Sequence, residues 1–368
     1  MTRGRPLRVA VIGPIAFPAV AGGLTRHCEE LYGRLSKCGI DATVFVRKPY
    51  SDPAMRDYEG MRLVALPVPT KRGLETFVYG ALATFRALFG SFDVVHYHGV
   101  AAGALCFLQR LRPGRRLLFT HHRADWMDDK WGSGAKALLR WTAKISLLVS
   151  HAVIAVSNAL AGELRAIHKR PITVITNGIT LPAVGSPDDL APLGLEAKRY
   201  ALCVGRIVPE KGVHVVVDAF DRFDTGGLTL AVVGAPRYSE AYAEELERRA
   251  GPNVRFTGRQ SGETLGSLYA NASLFVTASL NEGYPIGVLE AMGFGLPVVA
   301  SDIPAHREVL AGTGSAFFDP SDPEQLAGVI RRVIEHPPAQ RTIDREQHSW
   351  DAVAGNTLDV LRAVRGSS

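Results

Sequence analysis

The sequence predicts an α/β protein built as two Rossmann-like parallel-sheet domains facing across a cleft. Three observations carry that expectation. Short apolar runs alternate with helix-patterned segments of about 10–15 residues, the signature of parallel strand–helix–strand layers. The alternation lapses once, over residues 179–199, where LPAVGSPDDLAPLG is rich in Pro, Gly and Asp, and it restarts at Tyr200. A chain of 368 residues is long enough for two ordinary cores. The expected boundaries are residues 1–182 and 183–350.

Residues 8–13 (RVAVIG) form a near-continuous apolar run, as a parallel strand covered on both faces requires. Basic residues before it give the N-terminus the look of a secretion signal, but Gly13, Pro14 and Pro18 break the apolar run. A helix is expected over 24–37, ended by Gly39, followed by a strand over 42–47. Further strands are expected at 62–66, 94–98, 116–120, 152–156 and 172–176. Helices fall between them at 74–89, 101–111, 135–149 and 158–167, the last capped by Ser157. The second series of strands is expected at 200–205, 228–234, 254–256, 273–278, 298–301 and 316–318. In the tail, Val353, Leu358, Leu361 and Val364 share one helical face.

Hydrophobic content of 46% and charged content of 21% suit a globular enzyme rather than a disordered chain. No run reaches the roughly 18 apolar residues of a membrane span. The four cysteines have no metal-type or redox-type spacing and read as reduced thiols of a cytoplasmic protein. A net charge of +6 fits anionic ligands or an anionic membrane surface. Residues 110–144 concentrate nine basic side chains against three acids, Asp125, Asp128 and Asp129, with Trp126, Trp131 and Trp141 interspersed. Such a surface could lie on anionic lipid headgroups at the inner face of the cell membrane, or be a solvated helix face. No nucleic-acid module is visible.

The chemistry concentrates in NEGYPIGVLEAMGFGLP, residues 281–297. A strand leads in, Pro285 suits a first helical turn, and Gly295 suits the position past a helix end. Glu282 lies before the helix and Glu290 about one turn inside it. An open helix start attracts phosphate. Two acids beside it suit hydroxyls of a ligand that also carries phosphate, as a nucleotide-sugar does. Capping alone would also explain a glutamate there. Arg206 and Lys211 follow the first strand of the second series in GRIVPEKG and can grip a diphosphate from two directions. The pair Gly22–Gly23 allows close backbone approach to phosphate or sugar, although the loop is not G-x-G-x-x-G. His121 and His122 end a strand in the first series, and one imidazole facing the cleft could position a sugar hydroxyl. Adjacent histidines point to opposite sides, so a shared ion is not expected. His96 and His98 share a strand face with no completing ligand nearby, and His27 is a further cleft candidate. No Asp-x-Asp occurs, which favours neutralising phosphate with cations and a helix start over a metal ion.

With these motifs the sequence resembles the large retaining glycosyltransferase family four (glycosyl transferases group 1), of GT-B fold. The resemblance rests on the glycine pair, THH, AVIAVSNAL, VITNGI, VGRIVPEKG and above all NEGYPIGVLEAMGFGLPVVASD, with its glutamates eight positions apart. It implies that Glu282 contacts the transferred sugar and Glu290 the nucleotide ribose. It places Arg206 and Lys211 on the diphosphate, Gly22, Gly23 and Gly205 on the donor, and backbone N–H groups of Ile286, Gly287 and Val288 on phosphate. The cleft histidine matches His122, with His121 as the alternative and His27 on the acceptor or sugar side. It also implies that residues 351–368 return to the first, acceptor-side domain, while the second holds the donor. The implied reaction moves a hexose-type sugar from an NDP-sugar to a hydroxyl acceptor with retention, without cofactor or metal, in polysaccharide or glycoconjugate biosynthesis. The acceptor would be lipid-linked or a small molecule, and domain closure would exclude water. The competing readings are a sugar-nucleotide epimerase-like enzyme and a non-catalytic sugar-nucleotide-binding protein.

Overall fold

The computed structural model describes residues 5–19, 22–71, 74–127, 131–236, 238–338, 343–346 and 348–366. The chain divides into two compact units, Met1–Gly178 with His348–Ser368, and Ile179–Gln347.

In the first unit the order is β1 (Leu7–Ile12), α1 (Gly23–Lys37), β2 (Ile40–Arg47), β3 (Asp57–Tyr58), β4 (Met61–Leu66), α2 (Leu74–Phe89), β5 (Val94–His98), β6 (Arg116–His121), α3 (Ser133–Val149), β7 (Ala152–Ala155), α4 (Asn158–Ile167) and β8 (Thr173–Val174). The sheet order is β3-β4-β2-β1-β5-β6-β7-β8. Every pairing is parallel except the β3–β4 edge hairpin. The connection through α1 runs toward the β4 edge, and those through α2 and α3 run the other way. Right-handed crossovers therefore put α1 on one face of the sheet and α2 and α3 on the other. On the α2 and α3 face, Tyr79, Ala83 and Cys106 pack with Ala10, Ile12, Tyr97 and Phe119 of the strands. On the α1 face lies the final helix, Trp350–Gly366, which buries Val353, Leu358, Leu361 and Val364. Arg34 Nε of α1 donates to Asp351 Oδ1 at 2.8 Å. A Cβ added at Gly178 would come within 2.8 Å of the Trp350 ring and backbone nitrogen, so glycine lets the two segments touch.

The second unit contains β9 (Tyr200–Val204), α5 (Val213–Arg222), β10 (Thr229–Val233), α6 (Glu240–Arg249), β11 (Val254–Gly258), α7 (Gly262–Asn271), β12 (Leu274–Thr277), α8 (Ile286–Gly293), β13 (Val298–Ser301), α9 (Pro304–Val309), β14 (Ala316–Phe318) and α10 (Pro323–Glu335). Its sheet, ordered β11-β10-β9-β12-β13-β14, is parallel throughout. α5 and α10 cover one face through Val216, Phe220, Leu326 and Ile330. Both sheets are the Rossmann-like layers that alternating strand and helix patterns predict.

Two local expectations change, and one element was not expected. Residues 101–111 do not form one α-helix but two 3-10 segments, Ala101–Gly103 and Cys106–Leu111. Gly103 lies flat against the Phe119 ring, where a Cβ would stand 2.5 Å from a ring carbon. The strand expected over 172–176 shrinks to Thr173–Val174, an edge strand with one neighbour. The Asp57–Tyr58 hairpin has too few residues to show an alternating pattern. Among the described residues no helix is long and apolar enough to cross a membrane.

Candidate functional site

In an open parallel sheet the strand order reverses at a switch point, and the loops leaving the carboxyl ends there diverge to leave room for a ligand. The first unit switches between β1 and β5, and the second between β9 and β12. Most of the residues singled out in the sequence sit on loops or helix starts beside these two points.

In the second unit, Lys211 ends a short 3-10 turn (Pro209–Lys211) after β9, and Glu282 follows β12. The two loops are tied by the Leu280 N–H donating to the Glu210 carbonyl at 3.0 Å. Lys211 Nζ donates to Glu282 Oε1 in an ion pair whose side chains are 24% and 11% exposed. Gly212 makes this approach workable. Its φ is 63°, and a Cβ there would overlap the Ala278 carbonyl oxygen at the end of the neighbouring strand. Burial works to raise the Glu282 carboxyl. The Lys211 ammonium, His306 and a hydrogen bond from Ser279 outweigh it and hold the pKa at about 2. Glu282 is therefore ionised at neutral pH. Arg206, two residues beyond β9, is half-buried, and a Cβ at Gly205 would meet nothing within 4 Å.

The helix start is better resolved than the sequence suggested. Pro285 is the N-cap, with extended backbone, rather than a member of the first turn, and it offers no side-chain cap. The amides of Ile286, Gly287 and Val288 therefore precede the first intrahelical acceptor, Pro285 O, which takes the Leu289 N–H at 3.3 Å. At the other end Gly295 (φ 72°) closes the helix, with its own N–H on Met292 O at 2.9 Å and the Leu296 N–H on Ala291 O at 2.9 Å. Glu290 is held from α7: Tyr269 donates its hydroxyl to Glu290 Oε2 at 2.8 Å. Tyr269 carried no sequence signal. His306, also unremarked in the sequence, is buried under the Glu282 loop. Its Nδ1 lies 2.8 Å from Ser301 O, its Nε2 has no hydrogen-bond partner, and burial pushes its pKa down.

In the first unit Gly22 is the N-cap of α1, with φ 84° and nothing within 4 Å of a Cβ, and Gly23 is the first helical residue; both are exposed. Strand parity separates the paired histidines. His121 faces α3, where Nε2 lies 3.0 Å from Ser146 Oγ and the ring stacks on Phe119 at 4.6 Å. It is fully buried in that layer, on the opposite side of the sheet from His122, so it is no longer a sugar-side candidate. His122 points to the α1 face. Its Nε2 is 3.0 Å from His98 Nδ1, and its ring stands edge-on to His27 at 4.6 Å between centroids. His27 Nδ1 pairs with Asn177 Oδ1 at 2.9 Å. Behind them His96 is satisfied by Tyr32 Oη at 2.5 Å and Thr120 Oγ1 at 2.7 Å. Burial pushes all of these imidazoles down, His27 to about 4 and His98 and His122 well below their usual value, so the cluster is neutral at pH 7.

The ring nitrogens of His27, His98 and His122 lie within 4.8 Å of one another, which makes them the group of described residues able to hold a metal ion. The sequence weighed only the pairs His121–His122 and His96–His98. A trio drawn from a helix, a strand and a loop leaves no spacing to read. His98 ends β5 beside the switch point, and that placement is the signal that could have found it.

Comparison with known proteins follows the same two-part division. The model described as Glycosyltransferase Family 4 matches residues 21–181, and that described as Glycosyl transferases group 1 matches residues 187–350. An alpha-maltose-1-phosphate synthase of Mycolicibacterium smegmatis is 29% identical over 399 residues, covering 97% of this chain and 100% of that protein. A D-inositol 3-phosphate glycosyltransferase of a Nocardioides species is 28% identical, covering 97% and 90%. Among solved structures, a sucrose-phosphate synthase from Thermosynechococcus elongatus superposes with a TM-score of 0.83 at 22% identity, covering 98% of this chain and 100% of that one. Anabaena HepE in complex with UDP-glucose superposes with a TM-score of 0.76 at 18% identity, covering 97% and 100%. These two likenesses are of fold.

Proposed function

The chain belongs to the GT-B glycosyltransferases of family 4 and group 1, and on that premise we propose that it moves a hexose-type sugar from a nucleoside diphosphate sugar to a hydroxyl acceptor, with retention and without a metal ion. The observation that carries this reading is the Lys211–Glu282 pair at the β9–β12 switch point, beside the uncapped start of α8. In the free protein each group neutralises the other. An arriving diphosphate offers Lys211 an alternative anion and leaves the Glu282 carboxylate to accept hydrogen bonds from sugar hydroxyls.

Breaking the bond between the anomeric carbon and the diphosphate oxygen builds charge on the leaving group. Arg206, Lys211 and the amides of Ile286, Gly287 and Val288 are the donors assigned to that charge. Glu290, oriented by Tyr269, takes the ribose hydroxyls. Gly22, Gly23 and Gly205 supply close backbone approach, and neutral His122, backed by His98, accepts or donates to a sugar hydroxyl, with His27 beside it. A two-carboxylate glycosidase mechanism requires one protonated acid. Glu282, held at about 2, cannot be that acid. In the reading that the family resemblance implies, the departing phosphate oxygen receives the acceptor's proton as the new glycosidic bond forms on the same face.

The named relatives guide the choice of substrates. HepE is described with UDP-glucose, and alpha-maltose-1-phosphate synthase and D-inositol 3-phosphate glycosyltransferase are named for phosphorylated small molecules. UDP-glucose is the first donor to test, against GDP-, ADP- and dTDP-sugars. Acceptors should include phosphorylated sugars, polyols and lipid-linked glycans, as in polysaccharide or glycoconjugate assembly. Thermal shift and nucleotide release, with Lys211→Ala and Glu282→Ala as controls, decide the matter. A donor that stabilises and turns over only in the parent protein supports the reading. Variants indistinguishable from the parent would remove it.

A further inference from the structure

The outer surface of the α2 and α3 layer has the wrong chemistry for water. On α2, Leu82, Phe85 and Phe89 are 38%, 47% and 78% exposed. On α3, Leu138, Trp141 and Leu148 are 42%, 48% and 50% exposed. Within each helix the spacing keeps these residues on one stripe, and the stripe faces outward, where a surface helix normally presents polar groups. The 3-10 segment Cys106–Leu111 packs between the helices, with Phe107 edge-on to Trp141 at 6.4 Å and Leu111 70% exposed. Of the eleven exposed large hydrophobics among the described residues, nine lie in this layer of the first unit and two, Val184 and Leu280, in the second unit. Concentration of that kind marks an interaction surface rather than scattered surface residues.

The charge on the same elements has one sign. Arg86, Arg110, Arg112, Arg140 and Lys144 are exposed. The one acid on α2, the 3-10 segment and α3 is Glu75, buried and ion-paired with Arg47. Beside α3 a groove is lined by Trp126, Met127, Trp141, Arg140 and Lys144, so two cations and two indole rings share it. Glu163 also lines it, and burial raises its carboxyl toward the neutral form. Asp128, Asp129 and Lys130, next to the groove in sequence, lie outside the described residues.

We propose that this face of the first unit docks on the anionic phospholipid surface of a bilayer. Aromatic and leucine side chains enter the headgroup boundary while arginine and lysine remain at phosphate level, the division that interfacial helices use. An acidic protein partner would satisfy the cations but not three outward leucines and two phenylalanines arranged along helix stripes. The inference is independent of which sugar is transferred.

The test uses the full chain in flotation with phosphatidylcholine vesicles, with and without phosphatidylglycerol. Binding to the anionic vesicles alone, weakened by salt, is the expected result. Arg140→Gln with Lys144→Gln should lower partitioning about 25-fold, at about fivefold per basic side chain. Phe85→Ser with Phe89→Ser should abolish binding. An unchanged melting temperature in each variant keeps the comparison valid. Equal binding of parent and variants, or no binding to either vesicle, would overturn the proposal. So would variants that turn a sedimenting dimer into a monomer with vesicle binding unaltered, since the face would then belong to a second copy of the chain.

Discussion

Lys211 and Glu282 are ion-paired across the loops that leave the adjacent strands β9 and β12, and a glycine that no other residue can replace, Gly212, sits directly behind the lysine. The pair is mostly shielded from solvent, so its two members are not equivalent when removed. Lys211→Ala leaves a largely buried carboxylate without its cation, and the Glu282 pKa should climb from about 2 toward its ordinary range or above. The expected cost is about 1–3 kcal/mol of stability and about 100-fold or more in transfer rate. Adding Glu282→Gln should recover most of the melting temperature and none of the rate. Recovery of both would mean that the pair is structural.

Tyr269 offers a separate handle on the nucleotide. Its hydroxyl fixes Glu290, and Tyr269→Phe removes one hydrogen bond while keeping the ring that stacks on Phe294. A loss of about 1 kcal/mol should appear as a several-fold rise in KM for the donor with kcat nearly unchanged. A fall in kcat alone would place Glu290 at the reacting carbon instead.

The two adjacent histidines should behave oppositely. His122→Ala is expected to lower kcat about tenfold to a hundredfold, with a small effect on melting. His121→Ala removes a ring buried against Phe119 and Ser146, so it should lower the melting temperature and leave kcat per folded molecule alone. The test is a pair of melting curves with rates normalised to folded protein.

The buried imidazoles also give a pH signature. Burial holds His27 at about 4, below its ordinary 6.5, and pushes His96, His98 and His122 well below their ordinary value. The unfolded chain therefore binds protons that the folded chain refuses. Stability is full above pH 6.5 and falls as pH drops toward 4, by a few kcal/mol on the order-of-magnitude scale of one His27 shift. Glu282 adds a second loss, between 4.5 and about 2. Melting temperatures from pH 7 to 4 should show the first loss, and His27→Gln should reduce it.

Metal dependence is decided by one experiment. If phosphate is neutralised by Arg206, Lys211 and the start of α8, exhaustive chelation should leave transfer unchanged. Loss on chelation and recovery with a single divalent ion would instead assign the ion to His27, His98 and His122.

The sequence made the repeated sheet layers legible because buried parallel strands read as apolar runs bounded by glycine and proline. Ser157 shows the same at residue scale, since its hydroxyl caps α4 by accepting the Leu160 N–H at 3.1 Å. The positions of Lys211 and Glu282 were legible as strand-end chemistry, but their mutual pairing was not, because strand order is absent from a linear pattern. The meeting of His98 with His122 was hidden for the same reason, since it depends on β5 pairing with β6. Parity could already separate His121 from His122, but it could not say which side carried α1. Residues 101–111 misled because so short an apolar segment separates a 3.6-residue from a 3.0-residue period poorly, and a linear pattern does not show Gly103 pressed onto the Phe119 ring.

The contact between Arg34 and Asp351 joins residues 317 positions apart. During synthesis the strands of the first unit leave the ribosome before the second unit does, yet the helix that covers α1 and meets Gly178 leaves after it. The second unit, one continuous stretch from Ile179 to Gln347, is complete in sequence before that helix exists. Domains that emerge first usually finish first. Here the order is inverted: the α1 side of the first unit's sheet stays open until the whole second unit has been made and the helix Trp350–Gly366 follows it.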